Sequence, residues 1–212
     1  MPWIKRKETE LSKISLTPHA SGTGVFTVSS PNSSTDRTLT LPDETGTVLT
    51  DASDIDSSQV TGGVGKVIQV VNFQTGAVAT GTTTVPLDDT IPQSGEGTEF
   101  MSLEITPTST DNVLIIDINV FGSRSGSTTS IYSLFQDVVS DALASVTAAS
   151  ATNVTTVTSF RHKMTAPSTG AHTFKVRVGN STAVTFNFNG NNGGRLLGGV
   201  AASSITITEI AV

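Results

Sequence analysis

Thr38-Leu39-Thr40-Leu41-Pro42-Asp43-Glu44-Thr45-Gly46-Thr47-Val48-Leu49 reads as two short strand pieces around a turn. Leu39 and Leu41 alternate with Thr38 and Thr40, the period-two pattern of a strand with one buried face. Pro42 presets φ for a turn corner, Asp43 suits the next position, and Gly46 can take positive φ. Val48 restarts the apolar pattern. Similar pieces fill residues 14–50, at Ile14/Leu16 and Val25/Phe26/Val28, separated by Gly, Pro, Asn and Ser. One such ribbon cannot bury its apolar face, because an isolated hairpin is marginal in water. The pattern therefore predicts a stalk that needs other chains around it.

Outward from this stretch, residues 51–65 are polar and acidic and end in Gly62-Gly63-Val64-Gly65, which reads as a linker or neck. Residues 66–212 read as one all-β domain. Strand candidates are 66–74, 82–86, 99–106, 113–121, 130–137, 154–165, 171–178, 183–189 and 204–212, with Ser/Thr/Gly/Asn/Pro-rich turns between them. Many short strands at near-regular spacing predict a β-sandwich of jelly-roll type. Leu114, Ile116, Ile118 and Val120 share one face. Phe174, Val176 and Val178 oppose Lys175 and Arg177, and Val184, Phe186 and Phe188 alternate with Thr185 and Asn187. Leu134, Phe135, Val138, Val139, Ala142, Leu143 and Val146 have helical spacing, but the Ser/Thr-rich chain after them argues otherwise. Strand is expected over 130–137 and a long loop over 138–153.

Composition narrows the chemistry. Charged residues are 14% of the chain, with Ser, Thr, Gly and Asn in their place, and the net charge is −6. That balance argues against nucleic acid as a partner. Cysteine is absent, which excludes disulfides and thiolate chemistry. No apolar run reaches the length of a membrane span, so membrane insertion is not expected. The basic start Met1-Pro2-Trp3-Ile4-Lys5-Arg6-Lys7 lacks the apolar stretch of a signal peptide. Residues 1–13 read as a docking segment, with Trp3, Lys5, Arg6 and Lys7 as its anchors.

The search for an active site is negative. His19, His162 and His172 lack the cysteines or positioned carboxylates of a metal site, although the last two flank the turn at Pro167. Acidic pairs at Asp88/Asp89 and Glu96/Glu99 read as solvated loops. No Gly-x-Ser-x-Gly elbow or phosphate loop occurs. No metal, no cofactor and no enzymatic activity are expected.

The run Gly24-Val25-Phe26-Thr27-Val28, followed by Asp36-Arg37-Thr38 through Val48, resembles the short β-repeat of bacteriophage tail-fibre and spike proteins. The C-terminal block is similar to the jelly-roll heads that end such fibres. The matching places are Gly65–Val71, Leu103–Thr110 and Ser203–Ile210. The resemblance implies an intertwined homotrimer, virion proteins as partners of residues 1–13, and a host-surface glycan or protein as target. It also implies location in the virion after assembly in a host cytoplasm, with a collar, baseplate or capsid decoration as the alternative.

If nine head strands run up and down, connections alternate between the two ends. The end far from the stalk would then carry the receptor contacts Asp111, Asn112, Asp141, Asn153, Asn180 and Ser181, while Arg124 and Asn191 would face back.

Overall fold

The computed structural model describes residues 21–24, 34–36 and 65–212. The docking residues Trp3, Lys5, Arg6 and Lys7, the Thr38–Leu49 stretch and nearly all of the linker lie outside the described residues. The chain divides into two units, Met1–Ile55 and Asp56–Val212, and every strand among the described residues belongs to the second.

Its strands are β1 (Val67–Thr75), β2 (Ala79–Gly81), β3 (Thr98–Ile105), β4 (Val113–Arg124), β5 (Thr128–Gln136), β6 (Ala144–Ser150), β7 (Thr156–Thr165), β8 (His172–Asn180), β9 (Phe186–Phe188), β10 (Gly190–Asn191), β11 (Gly194–Arg195) and β12 (Ser203–Ile210). One sheet runs β1-β12-β4, with β7 and β9 also on β4 and β2 beyond β9. The other runs β3-β8-β5-β6. All these pairings are antiparallel. Strands remote in sequence are neighbours (β1 with β12, β3 with β8), and the chain passes repeatedly from one sheet to the other. This is a jelly-roll β-sandwich.

The faces expected from the sequence are the faces formed. Leu114, Ile116, Ile118 and Val120 are buried, as are Phe174, Val176 and Val178. They meet Ile205, Ile207, Met101, Tyr132 and Leu134 in one core. Each such side chain stabilises the fold by roughly 1.5–3 kcal/mol through burial alone. Aromatic rings fill one end: Phe100 stacks on Phe188 at 4.8 Å, and Tyr132 meets Phe186 edge-on.

Two expectations fail. Residues 82–86 form no strand: Thr84 makes a single bridge to Asn180, and the chain then leaves as a strap. Val85 turns down into burial there, and Pro86 has no N–H with which to continue a ladder. Conversely, 138–153 contains β6, whose inward residues Ala144, Val146 and Ala148 pack against the core. Its alternation is real, but it is carried by small Ala, Ser and Thr residues, which read as loop in the sequence.

These errors alter the ends. Following the antiparallel pairs, 106–112, 137–143 and 166–171 share the end where the chain enters at Lys66. Segments 76–97, 125–127, 151–155 and 181–202 start or close at the opposite end. The six expected receptor contacts are thus split: Asp111, Asn112 and Asp141 lie at the entry end, and Asn153, Asn180 and Ser181 at the far end.

At the entry end Glu209 is fully buried. It accepts hydrogen bonds from Asn112 Nδ2, Gln69 Nε2, and both the N–H and the hydroxyl of Thr108. Burial pushes its carboxyl up, but the donors on Asn112, Gln69 and Thr108 outweigh burial and hold it at about 2. A folded-state value below the unfolded one contributes stability that is present above about pH 4.5 and lost as pH falls toward 2. Glu209→Gln should cost about 1.5–3 kcal/mol at pH 7. Thermal melts from pH 7 to 2 should show the gap between the variant and the parent protein closing below pH 4.5.

Candidate functional site

The outer face of the second sheet carries a site bounded by a strap. β5 is buried on both faces, because Ile131, Ser133 and Phe135 point away from the core yet remain inaccessible. Their cover is the strap, residues 82–97. Val85 N–H donates to the Asn180 carbonyl, Ala142 N–H to Pro92, Ser94 N–H to Ser140, and Gly97 N–H returns to Thr84. The strap thus runs from the far end to the loop after β5 and back. Gly179 makes the crossing possible: a Cβ there would lie 2.6 Å from a Val85 methyl and 2.7 Å from the Thr83 carbonyl oxygen.

Between the returning strap and the β5–β6 connection lies a cleft of about 310 Å³, lined by Ser94, Glu99, Phe135, Asp137, Lys175 and Arg177 together with Val138 and Val139. Phe135 is its apolar floor. Arg177 donates from Nε to the Glu96 carbonyl, from Nη2 to the Gly97 carbonyl and from Nη1 to Glu99. Lys175 Nζ donates to the Asp137 carbonyl at 3.1 Å. A guanidinium has five N–H donors and an ammonium three, so both cations keep donors in reserve.

The acceptors of Asp137 are by contrast consumed. Oδ1 takes the Thr173 N–H, and Oδ2 takes His172 Nδ1 at 2.8 Å and Gln136 Nε2 at 3.1 Å. Burial pushes this carboxyl up, while the bonds from His172, Thr173 and Gln136 hold it below its ordinary value. Because the carboxylate only accepts, His172 presents an N–H on Nδ1, and its Nε2 is hydrogen-bonded with Ser168 Oγ at 2.8 Å. A Ser168–His172–Asp137 relay therefore lies beside the cleft. Sequence reading missed it because Asp137 stands 35 residues from His172 with no motif joining them, although Ser168 and His172 are only 4 apart. Asp137 also has φ of 51°, a left-handed conformation uncommon outside glycine.

Other expected site residues behave differently. Asn112 and Asn180 are buried and spend their side chains internally, Asn112 on Glu209 and Thr108, Asn180 on Ser130 and the Val184 carbonyl. They are not surface contacts. Asp111, Asp141 and Asn153 are exposed and Ser181 half-buried, and Asp141 accepts from Gln93 Nε2. Arg124 is fully buried, not presented at either end. His162 does not join His172: it pairs with Ile116 in the other sheet, where burial lowers its imidazole below the ordinary value. Among the described residues no group of His, Asp and Glu is arranged to hold a metal.

Fold and site together define a jelly-roll head bearing a donor-rich surface cleft. Residues 83–212, more than half of the chain, match the Pgp3 C-terminal domain, and the chain belongs to that family. No curated protein matches. Among solved structures the chain is similar to Eiger TNF from S. frugiperda, at 11% identity over 67% of this chain and 93% of that one, with a TM-score of 0.37. It is also similar to the tailspike protein 4 enzymatically active domain of bacteriophage CBA120, at 17% identity over 58% of this chain and 19% of that one, TM-score 0.26. A third is the infectious bursal disease virus VP2 subviral particle, at 12% identity over 68% and 40%, TM-score 0.27.

The family match corrects the functional expectation. The block read as the head of a phage fibre is a domain of a bacterial antigen family. Virion partners, a virion location, a host-attachment fibre and the collar, baseplate or capsid alternative are all displaced. The misleading repeat at residues 24–48 lies outside the matched span, and the short Thr-rich strand patterns within the span are demanded by any antiparallel sandwich.

Gly179→Ala should dislodge the strap without unfolding the core. Hydrogen exchange should accelerate across residues 83–97 and around Asp137–Leu143, while β4 and β12 keep their protection.

Proposed function

We propose that the chain is a non-enzymatic module of this bacterial antigen family whose jelly-roll head binds a carboxylate-bearing ligand, such as an acidic peptide, in the Phe135–Lys175–Arg177 cleft. The observation that carries this reading is the imbalance of the cleft. Lys175 and Arg177 have donors to spare and spend most of their bonds on backbone carbonyls, whereas both Asp137 oxygens are occupied and the other lining carboxylate, Glu99, already accepts from Arg177. A ligand rich in acceptors completes such a site, and a carboxylate completes it with charge-assisted bonds.

The relay supports a structural role for Ser168. Its Oγ already accepts the Gly170 N–H at 3.1 Å within the β7–β8 turn, and the cleft is lined by Asp137 but not by Ser168 or His172. The three side chains tie the β7–β8 turn to the loop after β5. On this reading a fluorophosphonate probe leaves Ser168 unlabelled. Labelling that disappears in Ser168→Ala would instead make the protein a serine hydrolase.

Fluorescence anisotropy with a labelled glutamate-rich peptide tests the binding. Saturable binding is expected, weakened at least about fivefold by Lys175→Gln, a loss of roughly 1 kcal/mol for one charge-assisted bond, and weakened further by salt. A lysine-rich peptide of equal length should not bind. Equal affinity for both peptides, or none for the acidic one, overturns the proposal.

A further inference from the structure

At the far end of the sandwich a cation is buried without an anion. Arg124 has no accessible surface. Its guanidinium crosses to the second sheet, where Nη1 donates to the Ala148 carbonyl at 3.0 Å and the Thr128 carbonyl at 3.3 Å, and Nη2 to Tyr132 Oη at 3.3 Å. Its Nε has no acceptor. All its partners are neutral, and it forms no ion pair among the described residues. A guanidinium cannot discharge itself by losing a proton, and a buried charge left uncompensated costs several kcal/mol.

Two further orphans stand on the neighbouring strand. Thr156 Oγ1 and Thr158 Oγ1 are buried and have no hydrogen-bond partner. The β4–β7 register sets Thr156 opposite Gly122 and Thr158 opposite Val120. Val120 faces the core, so by alternation Gly122 and Arg124 do too, and the two threonines project from the same side of the sheet. Arg124 and Thr156 are then diagonal neighbours, about 7–8 Å apart at the backbone and within the reach of a long side chain. Thr158 stands opposite Val120, four residues back from Arg124 and roughly 13 Å along the strand, so Thr156 carries the orphan hydroxyl within reach of the guanidinium. Asn187 Nδ2, the remaining buried polar side-chain atom without a partner among the described residues, belongs to β9, where Asn187 pairs with Ser123, whose side chain points to the other face of β4.

We propose that Arg124 and Thr156 form an internal binding site for a small monatomic anion of the chloride class. The Arg124 Nε–H and the Thr156 hydroxyl can both donate, and neither atom has a carboxylate partner among the described residues. A water molecule would satisfy the hydrogen bonds but leave the charge of Arg124 standing. A halide satisfies both, and the fold holds it because its donors come from two paired strands, β4 and β7.

Crystals grown in bromide test the site directly. An anomalous difference peak is expected in contact with Arg124 Nε and the Thr156 hydroxyl. In solution, melting in sodium chloride should exceed melting in sodium gluconate at equal ionic strength by at least about 2 °C. Arg124→Met should abolish that increment. Thr156→Val, nearly isosteric and therefore expected to fold, should reduce it as well. A water-sized peak without anomalous signal, or equal melting in the two salts for the unsubstituted protein, overturns the assignment.

Discussion

The C-terminal strand is the piece on which the sandwich depends. β12 is hydrogen-bonded along one edge to β1 and along the other to β4, and its inward residues Ile205 and Ile207 are fully buried in the core. Removing it would expose both ladders and half the apolar floor of the first sheet at once. Its final residues also place Glu209 among Gln69, Thr108 and Asn112, joining the start of β1, the β3–β4 connection and the C-terminus through one carboxylate. Contacts between residues so distant in sequence carry a high loop-closure cost.

Charged groups inside this hydroxyl-rich protein are handled in three ways. Glu209 and Asp137 are surrounded by donors, which keeps them ionised despite burial. Arg177 and Lys175 are tied largely to backbone carbonyls, so they hold the strap and the β5–β6 loop while retaining unspent donors toward the cleft. Arg124 has backbone carbonyls and a phenol, but no counter-charge. Side chains with complete partners serve as ties, and the incomplete ones mark where ligands are to be sought.

The strap links architecture to site. β5 would otherwise expose Ile131 and Phe135 on the outside of the sandwich. Covering them requires a chain segment to cross β8, and the crossing requires the bare backbone of Gly179. The same segment then supplies Ser94 and the carbonyls of Glu96 and Gly97 to the cleft and to Arg177. A cleft on a sheet face, bounded by a strap with few buried side chains of its own, is open to ligand without disturbing the core.

Everything governed by local period was legible in the residues alone. The alternation of Leu114 through Val120, and of Phe174 through Val178, dictated an all-β sandwich and named its core, because a side-chain period of two leaves no other way to bury those faces. Illegible was whatever depended on which strands become neighbours. Small residues hid β6, a strap imitated a strand at 82–86, and each mistake shifted the inferred ends of the molecule. Asn112 and Asn180 resemble surface turn residues until the fold brings Glu209 and Ser130 to them. Ser168 and His172 belong to one stretch, but Asp137 stands 35 residues away, and only the pairing of β5 with β8 brings it within hydrogen-bond distance of His172. The phage-like reading failed for a related reason: short Thr-rich strands and Gly-rich turns are what antiparallel sandwiches require, whatever work they perform. Strand period is a local property of the chain, whereas charge compensation and site geometry are set by long-range pairing and emerge only once the two sheets are assembled.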